Sequence, residues 1–163
     1  MIRNTISLAP CTEEDGVSLN ELQVKSFQQL FCDLPSSILA QEKGGLSHHV
    51  VRVDGAPVGM FSVDFRFHHS FTFAQFDTLG IRNFVIDHAS QGKGFGSEVC
   101  RMMPAYLRGL APRARGSYML LMVNNAGAYK AFTRGGWSDT DDKHTLGVKG
   151  VQNILWLPMQ SMY

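Results

Sequence analysis

The hydrophobic pattern changes period several times along the chain, and each change marks an element. Residues 2–9 read as an opening strand closed by Pro10. Thr12 and Asp15 then have the Ser/Thr-x-x-Asp/Glu spacing of a helix start, with Leu19, Leu22, Phe27, Leu30 and Phe31 as the apolar face. Leu34-Pro35-Ser36-Ser37 ends that helix and opens a shorter one to Glu42, which Gly44-Gly45 stops. Residues 47–53 and 58–67 are strand-like runs on either side of Asp54-Gly55-Ala56-Pro57, a strong hairpin signal. In the second run Phe61, Val63, Phe65 and Phe67 alternate, so one face is buried.

The most informative stretch is residues 84–96. Phe84, Val85 and Ile86 have strand character, and Gly92, Gly94 and Gly96 follow at alternate positions. A helical pattern comes next, with Val99, Met103, Tyr106, Leu107 and Leu110 on one face. A strand, a glycine loop and a helix start together present bare N–H groups and the positive end of a helix dipole to an anion. Gln91 and Lys93 are candidate side-chain donors at the rim, and a pyrophosphate is the ligand this arrangement suits. A plain tight turn is the alternative reading. The P-loop pattern is absent, since Gly96 is followed by Ser97 and Glu98, and the Rossmann pattern needs different spacing.

Downstream, Pro104 interrupts the helical pattern and predicts a kink or a shortened helix ending near Gly109. Residues 118–123 form a nearly continuous apolar run, the mark of a strand covered on both faces. Asn124-Asn125-Ala126 opens a capped helix with Ala128 and Phe132 on one side, and Gly135-Gly136 stops it. Trp137 starts another strand-like segment, residues 139–143 read as a polar hairpin tip, and residues 151–157 as a last strand. An exposed edge at that last strand would support a homodimer, with a monomer equally permitted. The order β-α-α-β-β-β-α-β-α-β-β describes one domain, residues 1–163, of α/β (α+β) class with a mixed sheet and helices on its faces.

Composition narrows the partners. The chain has 163 residues, 44% hydrophobic and 18% charged, as in a globular protein with a core of its own. A formal charge of +1 gives no electrostatic case for nucleic acid or a membrane surface, and no apolar run reaches membrane-span length. The start lacks a signal-peptide core, and Cys11, Cys32 and Cys100 are odd in number and widely spaced, so a reduced cytoplasmic setting is expected. Cys100 reads as a small core residue, not a nucleophile. Adjacent strand residues point to opposite faces, so His48/His49 and His68/His69 make no same-face metal pair, and no metal is expected.

With these residues in place, the chain resembles the GNAT acyltransferase superfamily over essentially its whole length. Phe84-Val85-Ile86-Asp87 followed by Gln91-Gly92-Lys93-Gly94-Phe95-Gly96 is similar to the family's Gln/Arg-x-x-Gly-x-Gly/Ala signature. Val123-Asn124-Asn125 with Ala128, Phe132 and Gly136-Trp137 is similar to its Asn…Ala…Tyr…Gly-Phe block. The resemblance implies a mostly antiparallel central sheet flanked by helices and splayed at its two central strands. It implies acetyl-CoA as co-substrate, with the pyrophosphate on residues 91–97, including Phe95 and Ser97. Phe84, Val85 and Ile86 would line the pantetheine arm, a backbone N–H near Ile86 would polarise the acetyl carbonyl, and Asn125 would approach from the other side. A small-molecule primary amine, such as an amino acid or polyamine, would attack directly in a ternary complex.

The chain departs from the family at two positions. Phe132 stands where many relatives carry a tyrosine acid, and Tyr129, one helical turn earlier, is the candidate replacement or else a packing residue. Arg82-Asn83 stands where some relatives carry a glutamate base; Asp87 and His88 are possible substitutes, and Arg82 alternatively recognises a carboxylate on the acceptor. Residues 84–98 also resemble polyamine acetyltransferases, without acidic residues evident near the site for a polycation. Loss of the acid leaves a non-catalytic acyl-CoA-binding module as the alternative function.

Overall fold

The computed structural model of the protein describes residues 3–23, 35–40, 44–147 and 150–159. Strand β1 (Ile6–Pro10) leads to helix α1 (Glu13–Leu19), which Thr12 opens with a capping box. The Thr12 hydroxyl accepts the Asp15 N–H at 3.2 Å, and the Asp15 carboxylate accepts the Thr12 N–H at 2.9 Å. The same carboxylate pairs with Arg52, which fastens α1 to the sheet. Leu19 is fully buried and Leu22 partly so; Phe27, Leu30 and Phe31 lie outside the described residues. Helix α2 (Pro35–Leu39) follows, with Glu42 again outside them.

The hairpin forms as its Asp-Gly signal predicts. Strands β2 (Leu46–Val53) and β3 (Ala56–Asp64) pair antiparallel around Asp54 (φ 51°) and Gly55 (φ 84°), consecutive left-handed residues that match the strand twist. The interruption after β3 is a single helical turn, α3 (Phe67–Ser70), so His68 and His69 sit on a helix and not on a strand. Strand β4 (Thr78–Ile86) starts well before its apolar end. A short 3-10 turn (His88–Ser90) connects it to helix α4 (Phe95–Leu110), which continues through Pro104 to its full length. Strand β5 (Gly116–Met122) and helix α5 (Ala126–Arg134) come next.

Two expectations for the C-terminal third are corrected. Residues 139–143 are not a hairpin tip but lie within strand β6 (Ser138–His144), polar because that strand is a sheet edge. Strand β7 (Gln152–Pro158) is not an edge either. It inserts between β5 and β6, so its backbone is paired on both sides and the dimer edge expected there does not exist.

The strands make one sheet of seven in the order β1-β2-β3-β4-β5-β7-β6. β4 and β5 pair in parallel, and the other neighbours are antiparallel. One face packs Phe61, Val63, Leu79, Ile81 and Leu155 against Val99, Met103 and Leu107 of α4 and Phe132 of α5. The opposite face is covered in two pieces. Leu19 and Ile38 pack on Val50, Met60 and Val85, while Phe67 packs with Tyr118 and Ile154.

Candidate active site

The site begins with an irregularity in β4. Val85 pairs with Met60 and Arg82 with Ser62, so three residue steps on β4 face two on β3. The additional residue makes a β-bulge, and Asn83 within it is left-handed (φ 57°), a conformation asparagine tolerates. The Asn83 amide donates to Ser62 Oγ at 3.2 Å, and the same hydroxyl meets His48 Nδ1 at 2.7 Å. The bulge shifts the side-chain alternation by one. Leu79 and Ile81 face the α4 core, and beyond the bulge Phe84 and Ile86 pack on that core in their turn.

At the same point β4 leaves β5. Their ladder runs through four pairs, from Thr78↔Gly116 to Ile81↔Met119, and stops. Leu120, Leu121 and Met122 stay paired with β7 on their other side. The two central strands therefore splay, as the resemblance implied. A cavity of about 980 Å³ occupies the gap.

The glycine loop borders the open end of this gap. Gly92 (φ 75°) and Gly94 (φ 82°) are left-handed, which explains two of the three glycines without reference to a ligand. Gly94 is the N-cap of α4 and no side chain caps the helix, so the first-turn N–H groups of Phe95, Gly96 and Ser97 lack side-chain acceptors. Those residues line the cavity. Gln91 turns inward: its Nε2 donates to the Ile86 carbonyl at 2.8 Å, tying the loop to the end of β4. Asp87 accepts the Gln23 N–H at 2.8 Å, and His88 N–H donates to the Gln23 carbonyl at 2.6 Å, so this pair fastens the turn to residue 23. Helix α5 makes the facing wall through Ala128, Ala131 and Phe132, with Asn125 as its N-cap. The Phe132 ring is wedged between Phe84 (centroids 5.0 Å) and Trp137 (5.4 Å).

Of the residues singled out from sequence, Phe84, Val85, Ile86, Gln91, Gly92, Gly94, Phe95, Gly96, Ser97 and Asn125 all line this one cavity. Lys93 does not. It points into a smaller depression with Arg3, Asn4 and Glu98. Tyr129 is also absent from the lining, and its hydroxyl donates to Asp139 on β6 at 3.0 Å. That bond, together with the charge of Asp139, raises the phenol above its ordinary range. Sequence reasoning missed the bulge, although the shift of apolar positions from 79 and 81 to 84 and 86 is its signature.

The closed end has a different chemistry. Gly80 has no side chain, and the Phe67 ring occupies its place; a Cβ there would lie 2.0 Å from the ring. One repeat along the same face, the Arg82 guanidinium lies 5.2 Å from both the Phe67 and Phe71 centroids. Arg82 Nε donates to the buried Asp64 carboxylate at 2.7 Å, whose other oxygen accepts the Arg66 N–H at 2.9 Å. Phe67, Phe71 and Arg82 all line the cavity. Burial pushes the Cys100 thiol up to about 12 and the Cys11 thiol up to about 11, so neither described cysteine competes as nucleophile; Cys32 lies outside the described residues. Among the described residues no three His, Cys, Asp or Glu side chains group as a metal site, and no helix is long and apolar enough to cross a membrane.

A splayed sheet with an uncapped helix N-terminus at its mouth invites comparison with known proteins. Residues 16–137 match the Acetyltransferase (GNAT) family. The chain belongs to this family. It is an acetyltransferase, and acetyl-CoA is its co-substrate. Solved structures agree on the fold of this GNAT acetyltransferase. The aminoglycoside acetyltransferase AAC(6')-Ib in complex with coenzyme A superposes with a TM-score of 0.73 at 18% identity, over 94% of this chain and 95% of that one. A spermidine N-acetyltransferase SpeG chimera from Vibrio cholerae and hSSAT gives 0.67 at 13% identity, over 94% and 95%. The ribosomal-protein-S18-alanine N-acetyltransferase from Escherichia coli gives 0.64 at 11% identity, over 98% and 97%. A search of curated proteins finds no match.

Proposed function

We propose that this GNAT enzyme transfers acetyl from acetyl-CoA to the primary amine of a small molecule by direct attack in a ternary complex. The observation that carries the reading is the early end of the β4–β5 ladder, in a cavity that opens at the uncapped start of α4. In this reading the N–H groups of Phe95, Gly96 and Ser97 receive the pyrophosphate, with the helix dipole behind them. Lys93 adds charge from the outer side of the loop. The unpaired edge of residues 84–86 receives the pantetheine arm as an added strand, and Asn125 flanks it from α5. When bound, acetyl-CoA supplies a thioester carbonyl open to attack by an amine. A backbone N–H near Ile86 polarises that carbonyl, and the walls hold the amine against it.

Proton transfer is left to water at both ends. No carboxylate or histidine is among the described residues lining the cavity, so the acceptor ammonium loses its proton to solvent before attack. Tyr129, the candidate acid, is engaged with Asp139 outside the lining, and we infer that the departing thiolate is protonated by water. A thiol assay of CoA release with small amines, amino acids and N-terminal peptides tests the function, with acetyl-CoA binding followed by thermal shift. Turnover of small amines is expected. Turnover of peptides alone overturns the small-molecule reading, and stabilisation by acetyl-CoA without any turnover overturns the transferase reading for this chain.

A further inference from the structure

The closed end of the cavity carries charge of one sign only. Of the described residues that line it, Arg82 alone has a charged side chain; the others are apolar, hydroxyl or amide side chains and glycines. Asp64 holds the guanidinium through Nε, and Phe67 and Phe71 hold its plane. One terminal nitrogen is left over: Nη2 is buried and, among the described residues, has no hydrogen-bond partner. A buried donor without an acceptor is costly, and a guanidinium fork fixed in one orientation suits a planar two-oxygen anion.

Its position along β4 relates this fork to the chemistry. Arg82 is the first residue past the last β4–β5 pair, at the apex of the splay. Residues 84–86, where the proposed function puts the acyl arm, lie on the open side of the same strand. Four strand residues, roughly 13 Å, separate Arg82 from Ile86, and a small amino-carboxylate together with the arginine's own reach spans that gap. Beside the guanidinium, Phe67 and Phe71 offer apolar surface, and Leu46 lines the same cavity.

We propose that Arg82 is a specificity-determining residue that anchors the acceptor's carboxylate, and that the acceptor is a free amino acid with an apolar side chain. This rests on the small-amine reading above and narrows it. A polycation is disfavoured at this site, because its first neighbour would be a guanidinium and no carboxylate on the wall faces it.

The test compares each apolar amino acid with its own carboxamide, which has the same side chain and an amine but no anion. Spermidine and an aminoglycoside complete the panel. Acids are expected to exceed their amides by about 100-fold in kcat/KM, mostly through KM. Arg82→Lys keeps a cation beside Asp64 but loses the fork, and is expected to shrink that ratio to below about tenfold, with acetyl-CoA binding by thermal shift unchanged. Since Arg82→Met leaves Asp64 buried and unpaired, Arg82→Met/Asp64→Asn removes both charges together and is expected to abolish the preference. Amides or polycations used as well as the acids, or a ratio indifferent to both variants, overturns the anchor and leaves the small-amine transferase standing. No transfer to any member while acetyl-CoA still binds overturns both.

Discussion

The Asn83 side chain bonds Ser62 across the β3–β4 ladder at the residue where β4 turns left-handed. The bond and the backbone conformation have separable costs. Asn83→Ala loses both, and is expected to destabilise the fold by about 2 kcal/mol and to raise the KM for acetyl-CoA as the bulge relaxes. Asn83→Gly restores the backbone preference alone and should recover roughly half of that loss. Urea unfolding and acetyl-CoA titration read the two effects; equal losses in both variants would show that backbone strain plays no part.

The glycine loop gives a second contrast. Gly94 is left-handed at the N-cap of α4, so Gly94→Ala costs about 1 kcal/mol of strain there, and relaxation of the free loop out of that conformation raises acetyl-CoA KM by up to roughly fivefold. Lys93 lies outside the cavity, and Lys93→Ala should raise the same KM by less than about threefold, with the difference vanishing at high salt. Steady-state kinetics at two ionic strengths measures both, and a larger effect at Lys93 than at Gly94 would contradict the proposed arrangement.

Gly80→Ala places a methyl group 2.0 Å from the Phe67 ring, where only displacement of the ring relieves it. The expected cost is about 2–3 kcal/mol, or a fall in Tm of roughly 5–10 °C. Phe67 supports Arg82, so acceptor KM should rise more than acetyl-CoA KM. Calorimetry with both substrate titrations checks this, and an unchanged Tm would mean that the ring relocates freely.

Tyr129→Phe removes the hydroxyl bonded to Asp139. A positioned general acid contributes typically 10²–10⁴-fold, whereas a residue that only ties α5 to β6 leaves kcat within about fivefold. The smaller effect is expected. A loss of 10² or more, confined to kcat, would reinstate Tyr129 as the proton donor.

His49 makes the fold acid-sensitive. Its Nδ1 meets the Tyr106 hydroxyl at 2.5 Å and its Nε2 meets Ser47 Oγ at 2.7 Å, with the ring stacked on Phe61. Burial, with the charge of His48, lowers its pKa from 6.5 to about 4. Between those values the unfolded chain binds a proton that the folded chain refuses, so stability falls as pH drops from 6.5 and the loss is complete near 4. Roughly 2 kcal/mol is expected, allowing for relaxation around the ring. Unfolding midpoints from pH 7 to 4 measure it, and His49→Gln should flatten the curve.

How much of this was legible in sequence depends on whether the signal was local. The capping box at Thr12, the Asp54-Gly55 hairpin and the glycine loop are set by neighbours in the chain, and they form as read. The bulge at Asn83 was legible in principle, since the apolar phase changes between Ile81 and Phe84. The place of β7 was not, because strand order depends on pairing across the sheet and residues 151–157 look alike at an edge or inside. Arg82 was noticed from sequence, but its hold by Asp64 and its bed on Phe67 and Phe71 join residues far apart in the chain. Tyr129 shares a helix face with Phe132 only within the tolerance of helical spacing, and three residues along α5 were enough to turn it from the cavity toward β6.

The four-pair ladder between β4 and β5 has a mechanical meaning as well. It is the single seam joining a half-sheet of β1 to β4 with one of β5 to β7. A pantetheine arm laid against residues 84–86 would extend that seam, so the co-substrate would act as a splice between the two halves. Backbone amides of residues 82–86 and 120–122 should then exchange hydrogen faster in the free protein than with CoA bound, and heat should part the halves at this line first.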